Sequence, residues 1–242
     1  MSQGTLTVGI IGGMGPSATY DLAQKIVDNT LATCDQEHLH VLVDCDTNIP
    51  DRNAAILRGG PSPVPEIVRA GKRLQTAGAE LLLMPCNTSH HFLPEISEQL
   101  DVPLLGMPEE TARALRGRGA DCVSVLCTEG TRGSGVYDKA LEAAGMRAIY
   151  PDETGQALVT AVIYDYVKCG RMDFDREGLV RLVEQLRAQG AQACLLACTE
   201  LPLAFADMGD KVPADVREML VDPTDVLARA AIVRAGGTLR EG

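Results

Sequence analysis

Two cysteines of this 242-residue chain stand where acid–base chemistry is possible. Cys86 follows the apolar run AELLLMP at 79–85, and Cys198 lies in the run ACLLACT at 193–199. A threonine comes within two residues of each thiol, at the expected start of a helix. The dipole of a helix amino terminus stabilises a thiolate and makes it a useful base. Moving a proton from one face of a carbon to the other needs a base and an acid that exchange roles, and two thiols satisfy that symmetry.

The elements that must position these thiols are short apolar strands alternating with helices. Runs rich in Val, Ile and Leu predict buried strands at 6–11, 39–44, 79–85, 102–106, 122–127, 146–150 and 193–199. Stretches with an apolar stripe predict helices after Pro16, after Pro63, at 136–145 and at 176–190, and a final helix is predicted at about 223–234. Strands that alternate with helices indicate an α/β fold with parallel sheets covered on both faces.

An internal correspondence indicates two lobes. The segments AGAELLLMPCNTSHHFLPEI and QGAQACLLACTELPLAF each run from a helix end through Gly-Ala and an apolar strand to a cysteine, about 110 positions apart. A duplicated α/β unit leaves this signature. We therefore predict a first lobe of residues 1–113 with 212–242 and a second lobe of 114–211. The carboxyl ends of parallel strands bind ligands in such sheets, so each lobe is expected to present one thiol to a shared cleft.

Composition excludes several classes of partner. The net charge of -11 and the pI of about 4.8 argue against nucleic acid and anionic membranes, and the 3% aromatic content with no Trp argues against base stacking. The amino terminus lacks the pattern of a signal peptide and no apolar run is long enough to span a membrane, so a cytoplasmic location is expected. The eight cysteines are then expected to be free thiols, and no CxxC pair indicates structural zinc.

Six motifs in order give the chain a specific resemblance to a known family. They are GGMGPSAT, NIPDR at 48–52, PCNTSH at 85–90, TEGTRGSGVY at 128–137, YVKCG at 166–170 and ACTELPL at 197–203. Over essentially its whole length the chain resembles the aspartate/glutamate racemase superfamily. The resemblance implies two flavodoxin-like lobes with the active site between them, a homodimer, and racemisation without pyridoxal phosphate or another cofactor. It also implies that Cys86 and Cys198 are the acid/base residues, serving the D and the L enantiomer respectively.

Further residues are predicted to bind an amino-acid substrate. The resemblance implies that the guanidinium of Arg52 in NIPDR clamps the side-chain carboxylate and that Lys168 in YVKCG assists it. The alternative for each is an ordinary solvated surface charge. The glycine-rich loop around Met14 lets a ligand approach the backbone, although the same glycines also fit a tight strand-to-helix turn. The loop lacks G-x-G-x-x-G spacing and does not predict a dinucleotide. The remaining predicted contacts to the α-amino and α-carboxylate groups are Asn87, Thr88, Thr131, Thr199 and Glu200, for which helix capping is the alternative role.

His90 and His91 raise the question of a metal. Cys86 and His90 are four residues apart and share a face if this stretch is helical, but a third ligand at suitable spacing is missing. A metal on Cys86 would also abolish its function as a base. No metal is therefore expected, and His90 is interpreted as a residue that orients or desolvates the site.

Other functions remain open at this point. The wider superfamily includes decarboxylases, maleate isomerases and hydantoin racemases, and the presence of both cysteines favours racemisation over single-thiol chemistry. A ligand-binding protein or a redox sensor on the same fold would not use the thiols in Cα chemistry. The sequence departs from the family pattern at Ser17, at DTN 46–48 and at Ala197, which leaves the substrate range open. Our interpretation is a racemase of an acidic amino acid, aspartate first and glutamate second.

Overall fold

The computed structural model describes residues 4–240, which divide into two units, residues 4–110 with 224–240 and residues 111–223. The first unit contains β1 (Val8–Gly12), α1 (Pro16–Asn29), β2 (Val41–Cys45), α2 (Arg52–Arg58), α3 (Val64–Thr76), β3 (Leu81–Leu83), α4 (Leu93–Ser97) and the start of α5 (Met107–Gly117). The second unit contains β4 (Cys122–Cys127), α6 (Glu129–Ser134), α7 (Val136–Ala143), β5 (Arg147–Ile149), α8 (Glu153–Ala161), α9 (Arg176–Ala188), β6 (Ala193–Ala197), α10 (Glu200–Met208), α11 (Ala214–Met219) and β7 (Leu220–Val221). Helix α12 (Pro223–Arg234) returns to the first unit.

Short helical turns complete the chain. They are the 3₁₀ turns Asp35–Glu37, Thr88–Phe92, Val167–Cys169 and Gly209–Lys211 and the π-helical turn Val162–Tyr166. The turn Thr88–Phe92 follows Cys86 directly, and the turn Val167–Cys169 contains Lys168.

Both sheets are parallel and place their first strand inside. The first sheet has the order β2-β1-β3, with Gly12 opposite Cys45 and Ile10 opposite Leu83. The second has the order β5-β4-β6-β7, with Cys127 opposite Ala197. In each unit the second strand lies on one side of the first and the third strand on the other, as in flavodoxin-like sheets. The α/β class with two flavodoxin-like lobes is therefore confirmed, and each cysteine of interest follows the third strand of its own sheet.

The first sheet is covered on both faces, which explains why β1 is apolar throughout. Val8 and Ile10 pack with Leu22 and Ile26 of α1, and Ile11 packs on the other face with residues of α3. Helix α1 begins with Pro16 at its first position, where the missing N–H costs nothing. Its apolar residues recur at the spacing that faces one side of a helix, so burial selects this conformation.

The second sheet has a continuous core built chiefly with α8, α9 and α10. The side chain of Asp175 accepts a hydrogen bond from the Gly178 N–H and starts α9, and Leu179, Leu182 and Leu186 follow on its buried face. Asp152 caps α8 in the same way through the Gly155 N–H. Such caps stabilise a helix by about 1 kcal/mol each.

The structure differs from the sequence prediction at two places near strand ends. Residues 102–106 do not form a strand, because only Leu104 bridges to Leu82 before α5 starts at Met107, and Pro103 has no N–H to donate. Residues 111–113 and 212–223, which the sequence places in the first predicted lobe, lie in the second unit, where β7 pairs with β6. Across residues 4–240, none of the helices combines the length and apolar character that crossing a membrane requires.

Candidate active site

Cys86 lies three residues beyond β3 in a tightly bonded backbone. Its N–H donates to the Met84 carbonyl at 2.8 Å and its own carbonyl lies 2.8 Å from Nδ1 of His90. The thiol is 6% exposed and packs in a cluster that also contains Met14 and Ile49. Cys86 is thus a nearly buried thiol at the carboxyl end of a parallel strand, in the position predicted from the sequence.

Met14 occupies the loop after the neighbouring strand β1. It is buried, its Sδ accepts a hydrogen bond from the Ser89 hydroxyl at 3.2 Å, and its peptide bond to Gly15 is cis. The loop does not offer all of its N–H groups to a ligand, because the Gly13 N–H donates to Oγ1 of Thr19 at 2.9 Å. The tight-turn interpretation of these glycines therefore holds for Gly13.

Arg52 begins α2 and is held by backbone carbonyls. Its guanidinium donates to the carbonyls of Ile49 (3.3 Å), Pro50 (2.9 Å) and Met14 (3.3 Å). Its Nε is buried and has no hydrogen-bond partner among residues 4–240, and no acidic side chain in that range pairs with it. Helix α2 packs against the turn Thr88–Phe92. The first unit therefore brings a cation without a carboxylate partner to the same loops as Cys86.

Asn87 and Thr88 continue from Cys86 and are 2% and 6% exposed. Asn87 precedes the turn Thr88–Phe92, but its side chain makes no capping hydrogen bond there. The Asn87 side chain therefore does not cap the helical turn that follows it, which was the alternative role considered from the sequence.

Cys198 follows β6 and has a carboxylate as its direct partner. Its Sγ donates to Oε2 of Glu200 at 2.9 Å, and Nζ of Lys168 forms an ion pair with Oε1 of the same carboxylate. Glu200 is 6% exposed. Burial first, and then the Glu200 charge, raise the pKa of the Cys198 thiol well above its ordinary value, while Lys168 acts in the opposite direction. The thiol is therefore protonated at neutral pH.

Threonines surround the carboxyl ends of β4 and β6. Thr199 is 3% exposed and makes no capping hydrogen bond to α10, and its hydroxyl lies 3.4 Å from Glu200. Thr131 is 1% exposed, and its N–H donates to Oγ1 of Thr128, which caps α6. Cys127 and Ala197 are the last residues of β4 and β6 and lie opposite each other, so the two strands end at the same edge of the sheet. In the second unit, Lys168, Cys198 and Thr199 all contact Glu200, and Thr131 lies at the same edge of the sheet.

The other buried cysteines, Cys122, Cys127 and Cys194, belong to strands β4 and β6. Burial raises the pKa of Cys127 and of Cys194 to about 12, and both lie within strands. They behave as small apolar core residues. Within the described range 4–240, no three His, Cys, Asp or Glu side chains converge in a way that would hold a metal ion.

Sequence reasoning missed two polar residues that shape the first unit's loops. Thr19 receives the Gly13 N–H and donates to the Gly15 carbonyl at 3.0 Å, and Ser89 contacts Met14. Ser89 stands within the PCNTSH motif, three residues from Cys86, which was a usable signal. Thr19 closes the GGMGPSAT motif, which was an equally usable signal.

The sequence profile of the Asp/Glu/Hydantoin racemase family matches residues 11–231. The chain belongs to this racemase family. The broad specificity amino-acid racemase RacX of Bacillus subtilis is 27% identical over 231 residues, covering 93% of this chain and 96% of the relative. A glutamate racemase of Desulforudis audaxviator is 29% identical over 180 residues, covering 71% of this chain and 63% of the relative.

Solved structures agree with membership of the Asp/Glu/hydantoin racemase family. The Picrophilus torridus aspartate racemase superposes with a TM-score of 0.84 at 33% identity, covering 97% of this chain and 96% of that one. The glutamate racemase RacE1 of Bacillus anthracis superposes with a TM-score of 0.66 at 16% identity, a likeness of fold alone, covering 96% of this chain and 82% of that one. The enzyme class is that of an isomerase, a racemase of amino acids.

Proposed function

We propose that this enzyme racemises an acidic amino acid, aspartate first and glutamate second, with Cys86 and Cys198 as the acid/base pair and without an added cofactor. The observation that carries the proposal is the same in each unit: a buried thiol stands just beyond the third strand of a parallel sheet. Ligands bind at the carboxyl ends of such strands. Two thiols satisfy the symmetry of a reaction whose product is the mirror image of its substrate.

In the proposed step, one thiolate removes the Cα proton while the opposite thiol delivers a proton to the other face. When the D enantiomer reacts, Cys86 takes the proton and the S–H bond of Cys198 breaks as a new Cα–H bond forms. The enzyme is left with a Cys86 thiol and a Cys198 thiolate, which is the form that reacts with the L enantiomer. The Glu200 carboxylate, which accepts the Cys198 proton in a hydrogen bond, supports the protonated form as the starting acid.

The state of Arg52 supports an acidic substrate. A partly buried guanidinium whose hydrogen bonds go only to carbonyls keeps its full charge for an incoming anion. Lys168 is already paired with Glu200, and its positive charge partly offsets that carboxylate beside Cys198. In this proposal the same ammonium group also binds a substrate carboxylate. Asn87, Thr88, Thr131 and Thr199 are proposed to contact the α-amino and α-carboxylate groups.

The test is deuterium incorporation at Cα in D2O, followed by proton NMR for both enantiomers of aspartate, glutamate and a panel of neutral amino acids, with no cofactor added. Wild type is expected to exchange and invert aspartate, and Cys86→Ala and Cys198→Ala are each expected to lower turnover by about 10³-fold or more, because removing the acid or the base removes the reaction path. Cys127→Ala is the matched control, since its thiol is buried in a strand and is expected to leave exchange intact. Absence of exchange for every substrate in the wild-type enzyme would contradict the proposal.

Arg52→Met separates the substrate classes in the same assay. The loss of kcat/KM is expected to reach roughly 100-fold for aspartate, in the range found when one member of a buried charge pair is removed, and to be small for alanine. Arg58→Met, at the exposed end of the same helix, is the control. Equal losses for aspartate and alanine would show that Arg52 does not read the side-chain carboxylate.

A second candidate is a racemase of broad specificity. It is favoured by the likeness to the Bacillus subtilis racemase of that description, which this chain covers over 96% of its length. Comparable exchange rates for acidic and neutral amino acids in the panel would favour it over the acidic-substrate proposal.

Cellular location and assembly belong to the same proposal. All eight cysteines are free thiols, which fits a reducing compartment such as the cytoplasm. A homodimer is proposed from the family resemblance, and light scattering after size-exclusion chromatography gives its mass directly.

A further inference from the structure

The ring of His90 connects two backbone segments with one defined tautomer. Its Nδ1 lies 2.8 Å from the carbonyl oxygen of Cys86, and its Nε2 lies 3.0 Å from the N–H of Met107. A carbonyl only accepts and a backbone amide only donates. The ring proton is therefore on Nδ1, and Nε2 must remain unprotonated to accept from Met107.

The surroundings keep this ring neutral. His90 is 3% exposed, and burial lowers its pKa below the ordinary 6.5, while the Cys86 carbonyl and then the charge of Glu109 act in the opposite direction. The other helices packed near the turn Thr88–Phe92 carry Arg52 and Arg58 on α2 and Glu95 on α4. An imidazolium would in addition direct a second N–H at the Met107 N–H, so the geometry and the burial favour the same form.

We propose that His90 is a positioning residue that fixes the Cys86 backbone, and with it the direction of the thiol, against the first residue of α5. The inference rests on the proposed function, in which Cys86 is one of the two acid/base residues. Helix α5 is also the element within which the chain passes from the first unit to the second, between Glu110 and Thr111. Through its two hydrogen bonds, His90 therefore connects the backbone of Cys86 to the start of helix α5.

The two hydrogen bonds of His90 affect catalysis through the orientation of the Cys86 thiol. A displacement of about 1 Å at a reacting group costs up to about 100-fold in rate. Loss of a positioning contact lowers kcat while substrate affinity stays similar, because Arg52 and the threonines that bind substrate are retained. A purely structural role would lower the amount of folded protein without this split between kcat and KM.

Two substitutions of His90 each keep one of its two hydrogen bonds and remove the other. His90→Asn places an amide N–H near the position of Nδ1 and keeps a donor for the Cys86 carbonyl. His90→Gln places an amide oxygen near the position of Nε2 and keeps an acceptor for Met107. His91→Asn is the matched control, because His91 is the adjacent histidine and is exposed.

The expected result is a ranking of kcat for aspartate, each value normalised to folded protein by circular dichroism. His91→Asn is expected to equal wild type, His90→Asn to lose a smaller part, and His90→Gln to lose about 10- to 100-fold with KM changed less than kcat. In wild type, kcat is also expected to fall as the pH drops through the lowered pKa of His90, because the imidazolium cannot accept from Met107. That acid limb is expected to be absent in His90→Asn.

Alkylation of Cys86 by iodoacetamide, quantified by peptide mass spectrometry, tests the positioning without any substrate. Cys86 is expected to react measurably faster in His90→Gln than in His91→Asn, with Cys198 unchanged between them. If wild type exchanges no amino acid, the proposed function fails while this labelling still decides whether His90 fixes Cys86. Labelling and kcat of His90→Gln equal to those of His91→Asn would overturn the inference.

Discussion

The two thiols proposed to share one reaction have different neighbours. Cys198 donates to the Glu200 carboxylate, which is itself paired with Lys168, whereas Cys86 is held through its backbone by His90. Enantiomers have equal free energies in water, so kcat/KM must be the same in both directions at every pH. The difference between the thiols therefore has to appear in the pH dependence of the reaction rather than in its direction.

Glu200→Gln tests this difference. The pKa of Cys198 is raised first by burial and then by the Glu200 charge, so removing the charge lowers it and leaves Lys168 acting in the same direction. Because the reaction needs one protonated thiol, we expect the alkaline limb of kcat/KM to move to lower pH by roughly 1 unit, the usual size of a nearby charge effect. Alkylation of Cys198 against pH gives the thiol pKa directly.

The control for this shift is Glu177→Gln, which removes an exposed carboxylate on α9. It is expected to leave both the pH profile and the Cys198 alkylation unchanged. An unchanged alkaline limb in Glu200→Gln would show that the carboxylate does not set the acidity of this thiol.

At the scale of elements, the loops that follow the strands carry the residues of the candidate site. Gly13 shows how closely two of these loops pack. Gly13, directly after β1, has a φ of 93° and a Cβ there would lie 2.1 Å from the Asp46 carbonyl oxygen. The loop after β1 and the loop after β2 are therefore in backbone contact. The first of them carries Met14, whose carbonyl accepts from Arg52.

Gly13→Ala is expected to lower the free energy of unfolding by at least about 2 kcal/mol, because it combines an unfavourable φ with a backbone clash. Urea denaturation followed by circular dichroism measures this loss. Gly117→Ala is the comparison, since no atom lies within 4 Å of the added Cβ at the end of α5. A Gly13→Ala protein as stable as Gly117→Ala would mean that the loop relaxes without cost.

At the scale of the whole molecule, the last helix completes the first core. Leu227 and Ile232 of α12 are fully buried and pack with Val8 and Ile10 of β1 and with Leu22 of α1. Asn29 of α1 also donates to Asp225 at 2.8 Å. The first unit is thus built from both ends of the chain, and it cannot complete its core until residues 224–235 have been made.

Ile232→Ala is expected to destabilise the protein by roughly 2–5 kcal/mol through the cavity it leaves, whereas Val233→Ala, at a site 58% exposed, is expected to change stability by no more than about 0.5 kcal/mol. The midpoint of the first urea transition compares the two variants. Equal midpoints would contradict a structural role for α12 in the first core.

The sequence by itself determined strands β1 to β6, five of the helices and the location of the two thiols. The strand at 122–127, the helix that begins at Arg176 and the cysteines after β3 and β6 follow from local apolar patterns, which are a property of neighbouring residues. The same motifs identified the racemase family, which the family profile confirms. The sequence also marked Arg52, Lys168 and Glu200 as candidates, because charged groups in such motifs are visible without coordinates.

Only the tertiary structure decided which of these groups meet. Lys168 and Glu200 are 32 residues apart, Met14 and Ser89 are 75 apart, and the bond from Met107 to His90 crosses 17 residues. The same holds for the pairing of β7 with β6 and for the single bridge that replaces the strand expected at 102–106. Local periodicity contains no information on these contacts, because they arise when separate elements pack and each polar group takes the partner that its burial leaves available.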